Sequence, residues 1–184
     1  MDQPDSVAPE PKRKQPAALL AAGVIALVVV IVLVIALSGK PALPPQVGEP
    51  VPDFQLTGFD GSPMVLSAQR GNVVVVNFFA SWCSPCRQEA ADLELTWRAY
   101  KGAGVQFFGI GYKDAAANVK RFLAEFDVTY PATTETSNAT ARAYGVTGAP
   151  ETFIVDGSGR LVRHILGPVS QTELAHELDL LSKP

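Results

Sequence analysis

The chain of 184 residues carries 15 basic and 18 acidic side chains, with no run of Lys and Arg long enough to neutralise a row of phosphates, and this excludes nucleic acid as a partner class. Its length suits one ordinary domain with segments to spare. Only two cysteines are present, so the fold must rest on an apolar core and not on a framework of disulfide staples.

Residues 1–16 combine prolines and charges with little apolar surface, and a disordered tail is expected there. From Ala17 to Leu37 every residue is apolar or Gly, enough for a helix to cross a bilayer core, which takes about 20 apolar residues. A cleaved signal peptide has a shorter apolar stretch of about 7 to 15 residues ending at a small-residue site. The run here is longer and no clean A-x-A follows it, so a retained transmembrane anchor over 17–37 is predicted. Lys12, Arg13 and Lys14 flank one end and only Lys40 the other, which predicts a cytoplasmic tail and an extracytoplasmic remainder. Residues 38–50, with Pro41, Pro44, Pro45 and Pro50, read as a stiff linker. The catalytic domain is expected over 51–184.

Within that domain, Phe54 to Thr57 and Met64 to Leu66 read as short strands around the turn Asp60-Gly61-Ser62-Pro63. Val73 to Phe79 (VVVVNFF) is almost continuously apolar, as a central strand buried on both faces should be. From Ser84 to Tyr100 the pattern turns helical, with Ala90, Leu93, Trp97 and Tyr100 near the 3.6-residue period. Val105 to Gly111 (VQFFGIG) then completes a βαβ unit. A helix over Ala115–Phe126 carries Val119, Phe122, Leu123 and Phe126, and a short strand is predicted around Val128 to Ala132. A brief helix capped by Ser137 and stopped by Gly145 follows. Thr152 to Val155 and Leu161 to Leu166 flank the hairpin signal Asp156-Gly157-Ser158-Gly159. Ser170 and Glu173 form a capping-box pattern ahead of a last helix with Leu174, Leu178 and Leu181 in its apolar stripe. The fold class is therefore α/β, a central mixed sheet with helices on both faces.

Both cysteines lie in Trp82-Cys83-Ser84-Pro85-Cys86, where the buried strand meets the following helix. Unpaired N–H groups at a helix N-terminus stabilise a thiolate, the reactive species in disulfide exchange. Cys83, at the helix mouth, is expected to attack, and Cys86, one turn inward, to resolve the mixed disulfide. Pro85 suits the first turn, where its missing N–H costs nothing. A zinc site would draw on His164 and His176, whose spacing matches no finger, and no metal is expected. Two plainer readings remain: a structural disulfide, although such bridges gain most by closing longer loops, and a pair of inert thiols, which an oxidising compartment disfavours.

With strand, W-C-x-x-C and helix in this order, and with Tyr144-Gly145-Val146-Thr147-Gly148-Ala149-Pro150-Glu151-Thr152-Phe153 downstream, the chain resembles the thioredoxin superfamily. The nearest resemblance is to its redoxin-type branch of TlpA, ResA and CcmG proteins, over roughly Val51 to Leu180. This implies a thioredoxin-like fold and a cis Ala149–Pro150 bond beside Cys83, with the Ala149 backbone offered to an extended client segment. It implies that Glu89, one turn beyond Cys86, tunes or deprotonates the buried thiol; the alternative is a first-turn glutamate that favours the helix dipole. Glu151 is a second candidate acid. Trp82 shields the disulfide and shapes the client groove, unless it is a plain core aromatic. The residues that a peroxidase of the neighbouring branch would require are replaced by Val76 and Ala80, and a copper carrier would want a wider cysteine spacing.

The expected activity is thiol-disulfide exchange without a cofactor beyond the Cys83–Cys86 disulfide. The resemblance favours reduction of extracytoplasmic clients such as apocytochrome c, with electrons from a membrane thiol-disulfide carrier. The alternatives are a disulfide-forming oxidant of the same fold and a client- or copper-assembly module with little turnover.

Overall fold

The structure is a computed structural model describing residues 16–37 and 43–181. The chain divides into two compact units, Met1–Lys40 and Pro41–Pro184. The first contains helix α1, Pro16–Leu37, whose described side chains run from 21 to 33 and are all exposed. Among the described residues no helix is long and apolar enough to cross a membrane. The predicted tail, apart from Pro16, lies outside the described residues, as do both ends of the predicted anchor's side chains and linker residues 38–42.

The second unit is built on a five-stranded mixed sheet in the order β5-β4-β3-β6-β7. Its central strand β3, Val73–Phe79, is buried at every position. It pairs parallel with β4, Val105–Gly111, and antiparallel with β6, Glu151–Val155. With neighbours on both edges and side-chain layers on both faces, β3 has no solvent side to alternate toward, which is why VVVVNFF reads as a nearly unbroken apolar run. Strand β5, Ala132–Thr134, extends β4 in parallel, and β7, Leu161–Leu166, extends β6 in antiparallel. Strands β1, Gln55–Thr57, and β2, Pro63–Val65, make a separate antiparallel pair.

Alternate residues of β3 feed opposite faces of the sheet. Val73 and Val75 join Phe107 and Ile154 beneath Leu93 of α2, Ser84–Tyr100, and beneath Leu174 and Leu178 of α5, Gln171–Leu181. Phe79 meets Val119 and Phe122 of α3, Ala116–Glu125. Gly111 lets α3 come this close, since a Cβ there would stand 2.8 Å from Val119 Cγ2. On the other face, Val74, Val76 and Phe78 pack with Phe54, Met64, Phe108, Phe153 and Tyr144, and with Ala141 of α4, Ala139–Ala143. Leu174 is fully buried, so Leu174→Ala should lower the unfolding free energy of the 41–184 unit by about 2 to 5 kcal/mol. A denaturant midpoint indistinguishable from the parent's would contradict this placement.

Three details differ from the sequence reading. The strand predicted at 128–132 enters the sheet only at Ala132, because the preceding backbone is taken elsewhere: Val128 N–H bonds Leu123 O, Thr129 N–H bonds Glu94 Oε2, and Pro131 has no N–H to give. The N-cap of α4 is Asn138, in the left-handed region at φ 50°, and not Ser137; the hydroxyl of Ser137 accepts from Ala139 N–H at 3.3 Å, and Glu135 Oε2 accepts from Thr140 N–H at 2.8 Å. Residues 46–50, predicted as linker, are tied to β7: Gly48 N–H bonds Leu161 O, and Leu161 N–H bonds Glu49 O.

Candidate active site at the mouth of α2

After β3 the chain makes a short turn and enters α2 with Cys83 as the N-cap, in extended conformation. Asp114 Oδ2 accepts from Ser81 N–H at 2.7 Å and holds this approach in place. Cys83 and Cys86 are joined as a disulfide. The Cys86 N–H points at Cys83 Sγ across 3.1 Å, so one orphan donor of the helix is spent on the sulfur that has to carry negative charge once reduced. The first turn of α2 contains no acid and has Pro85 in it, leaving the positive end of the helix dipole uncompensated where Cys83 sits. Both cysteines are almost fully buried, Cys83 at 4 % and Cys86 at 1 % exposure.

The segment before β6 closes over the same sulfur. The Ala149–Pro150 bond is cis, and the Ala149 carbonyl oxygen lies 3.3 Å from Cys83 Sγ. Beside it runs a groove of about 320 Å³ formed by Pro85, residues 147–151 and residues 166–168. Trp82 is 61 % exposed, with its indole N–H 3.4 Å from Lys113 O, so it stands at the surface next to Cys83 and not in the core.

The two acids occupy different places. Glu89 shares the buried face of α2 with Cys86, Ala90 and Leu93, beyond the first turn where a dipole-compensating glutamate would stand. Asn77 Nδ2 donates to Glu89 Oε1 at 2.9 Å and also to Thr152 Oγ1 at 3.0 Å, while Val169 N–H donates to Glu89 Oε2 at 2.9 Å. Burial outweighs these bonds and pushes the Glu89 carboxyl up to about 7, because a carboxylate removed from water loses solvation that its two donors do not replace. Glu151, the first residue of β6, takes the Thr147 N–H, the Thr147 hydroxyl and the Gly148 N–H on Oε1, at 2.8, 3.0 and 2.9 Å. Its Oε2 lies 2.8 Å from His164 Nε2. Glu151 thus holds the turn before Pro150, while Glu89 lies on the buried face of the cysteine helix.

Cys83, Cys86, Ala149 and Pro150 are brought together around one sulfur, Trp82 precedes it as an exposed ring, and Glu89 and Glu151 are buried on α2 and β6. The partners Asn77, Thr152, Val169, Thr147 and His164 were not singled out as site residues. Asn77 did leave a signal, since it is the one polar residue in an otherwise apolar strand. Val169 contributes only a backbone N–H, which no side-chain pattern can announce.

The redoxin family profile matches residues 46–179. The chain is 30 % identical over 133 residues to the thiol-disulfide oxidoreductase ResA of Geobacillus kaustophilus, covering 72 % of this chain and 76 % of that one. It is 37 % identical over 112 residues to the thiol:disulfide interchange protein HelX of Rhodobacter capsulatus, covering 60 % and 61 %. A crystal structure of a thiol:disulfide interchange protein of the thioredoxin family from Chlorobium tepidum superposes with a TM-score of 0.68 at 30 % identity, over 78 % of this chain and 100 % of that one. Matched along nearly all of its second unit and carrying its paired cysteines at the helix mouth, the chain belongs to the redoxin family and is a thiol-disulfide oxidoreductase of thioredoxin-like fold.

Proposed function

We propose that this protein is a membrane-anchored, extracytoplasmic reductant of client disulfides, cysteine pairs of apocytochrome c among them. The observation that carries the chemistry is the Cys83 sulfur, held between the Cys86 N–H and the Ala149 carbonyl at the edge of an open groove. The apolar run 17–37 and the cluster Lys12-Arg13-Lys14 before it support the anchor and its orientation. The cycle runs through the cysteines alone, without a metal or an organic cofactor, and a membrane thiol-disulfide carrier re-reduces the pair.

In the forward cycle the Cys83 thiolate attacks one sulfur of the client disulfide, and the other client sulfur leaves as a thiolate. Cys86 gives up its proton, attacks Cys83 Sγ and releases the second client thiolate. Two electrons pass to the client, whose two thiolates take their protons from solvent, and the Cys83–Cys86 disulfide remains. Glu89, poised near neutrality, is the group that takes the Cys86 proton. The exposed backbone of Ala149 and the ring of Pro150 seat the extended client, Glu151 keeps that turn in shape, and Trp82 covers the outer side of the disulfide.

The test is the reduction potential of the Cys83–Cys86 pair in the 41–184 unit, equilibrated in redox buffers and trapped by alkylation. A reductant requires a value near thioredoxin's, about −270 mV. A value near about −120 mV would assign the protein to disulfide formation and overturn the proposal.

A further inference from the structure

His164 is one of the sequence's two histidines, and its surroundings give it work. It lies on β7 opposite Phe153 of β6, two residues along the sheet from Glu151. Its ring stacks on the Phe153 ring at 4.0 Å and 15°, and Phe153 is packed edge-on against Phe78 and Tyr144 in the core. The imidazole is therefore held by the core, with its side chain 17 % exposed, and it presents Nε2 to Glu151 Oε2 at 2.8 Å.

We propose that His164 is a positioning residue for client recognition, which fixes through Glu151 the backbone turn ahead of Pro150. The inference rests on the proposed reading of the Ala149–Pro150 segment as the client seat. The physical chain has three links. Core packing sets the ring of His164, the ring sets the direction of the Glu151 carboxylate, and the carboxylate draws the N–H groups of Thr147 and Gly148 inward. With those amides turned in, the carbonyl of Ala149 further along the turn faces Cys83 Sγ, and the turn borders the groove in one shape. Without the His164 bond, a buried carboxylate oxygen has no partner, and a charge left in that state costs more than the bond contributed. The carboxylate is then held through Oε1 alone, and the turn it anchors loosens. A pre-shaped seat becomes one that the client must order on binding, so the loss falls on affinity and not on the sulfur chemistry.

The test separates this from a role in stability alone. The reduced full chain, in detergent, is mixed with excess unstructured peptide bearing an intramolecular Cys-x-x-Cys disulfide, and thiols are trapped by alkylation over time. His164→Phe keeps the stacked ring and removes the donor; the half-saturating peptide concentration should rise about tenfold, with the limiting rate within about twofold of the parent's. His164→Gln restores an N–H donor and should recover most of that affinity. His164→Asn, too short to reach the carboxylate, should repeat the Phe defect and serves if the Phe variant does not fold. An unchanged half-saturation in His164→Phe or His164→Asn overturns the inference even if the melting temperature falls, and so does an equal defect in the Gln variant. If the unmutated chain leaves the peptide disulfide intact, the client-reduction reading fails first and the inference falls with it.

Discussion

Cys86→Ser converts the protein from a catalyst into a trap: incubated with disulfide-bearing clients, it accumulates covalent complexes through Cys83 that are visible on non-reducing gels and released by a reductant. The geometry dictates this asymmetry. Cys83 keeps its place at the helix mouth and its proximity to Ala149 O, so the first exchange still occurs. The second needs a thiolate one turn inward, and a serine hydroxyl is not ionised at neutral pH. Turnover should fall about a thousandfold or more, the scale on which loss of an enzyme nucleophile is felt. Cys83→Ser should lose turnover equally and form no covalent complex, because the helix-mouth N–H that stabilises a thiolate points at position 83 and not at Cys86. Trapping through Cys86 in the Cys83→Ser variant would reverse the assignment of the two roles.

Glu89→Gln should slow client exchange at neutral pH by about a hundredfold, the lower end of what a positioned general acid or base contributes. The same substitution has a stability signature whose sign follows from the raised carboxyl. Below its ordinary value of 4.5 the group is protonated in both folded and unfolded chains and contributes nothing to the pH dependence. Between 4.5 and about 7 the unfolded chain gives up the proton while the folded one keeps it, so the protein loses stability as pH rises through that window and levels off above it. At about 1.4 kcal/mol per pH unit the loss is about 3 kcal/mol. Glutamine does not titrate, so the variant should lack this slope, although it leaves either Asn77 Nδ2 or Val169 N–H without an acceptor. Denaturant unfolding of parent and variant from pH 4 to pH 8 checks it. Parallel curves would mean that Glu89 ionises as freely in the fold as in the open chain, and that it is not the proton acceptor.

The sequence alone determined the order of elements in the catalytic unit, the central strand, the cysteine helix and the two motifs that meet at the sulfur. These are local properties. The apolar run of β3, the 3.6-residue stripe of α2 and the position of Cys83 ahead of Ser84-Pro85 each follow from residues a few places apart, and burial on a sheet or at a helix mouth imposes them directly on composition. The strand placed at 128–132 missed for one distant reason and two local ones: Glu94 on α2 captures Thr129, the last turn of α3 captures Val128 through Leu123 O, and Pro131 has no N–H to offer. Only the tertiary structure decided what the two acids do. Glu89 and Glu151 are alike as letters, each a glutamate beside a reactive motif. Packing gives one a backbone N–H from residue 169 and an amide from residue 77, too few donors to offset its burial. It gives the other three donors from its own turn and a histidine from the next strand. What a buried carboxyl can do is set by desolvation and by the donors within about 3 Å, and Asn77, Val169 and His164 reach these acids only when the sheet has formed.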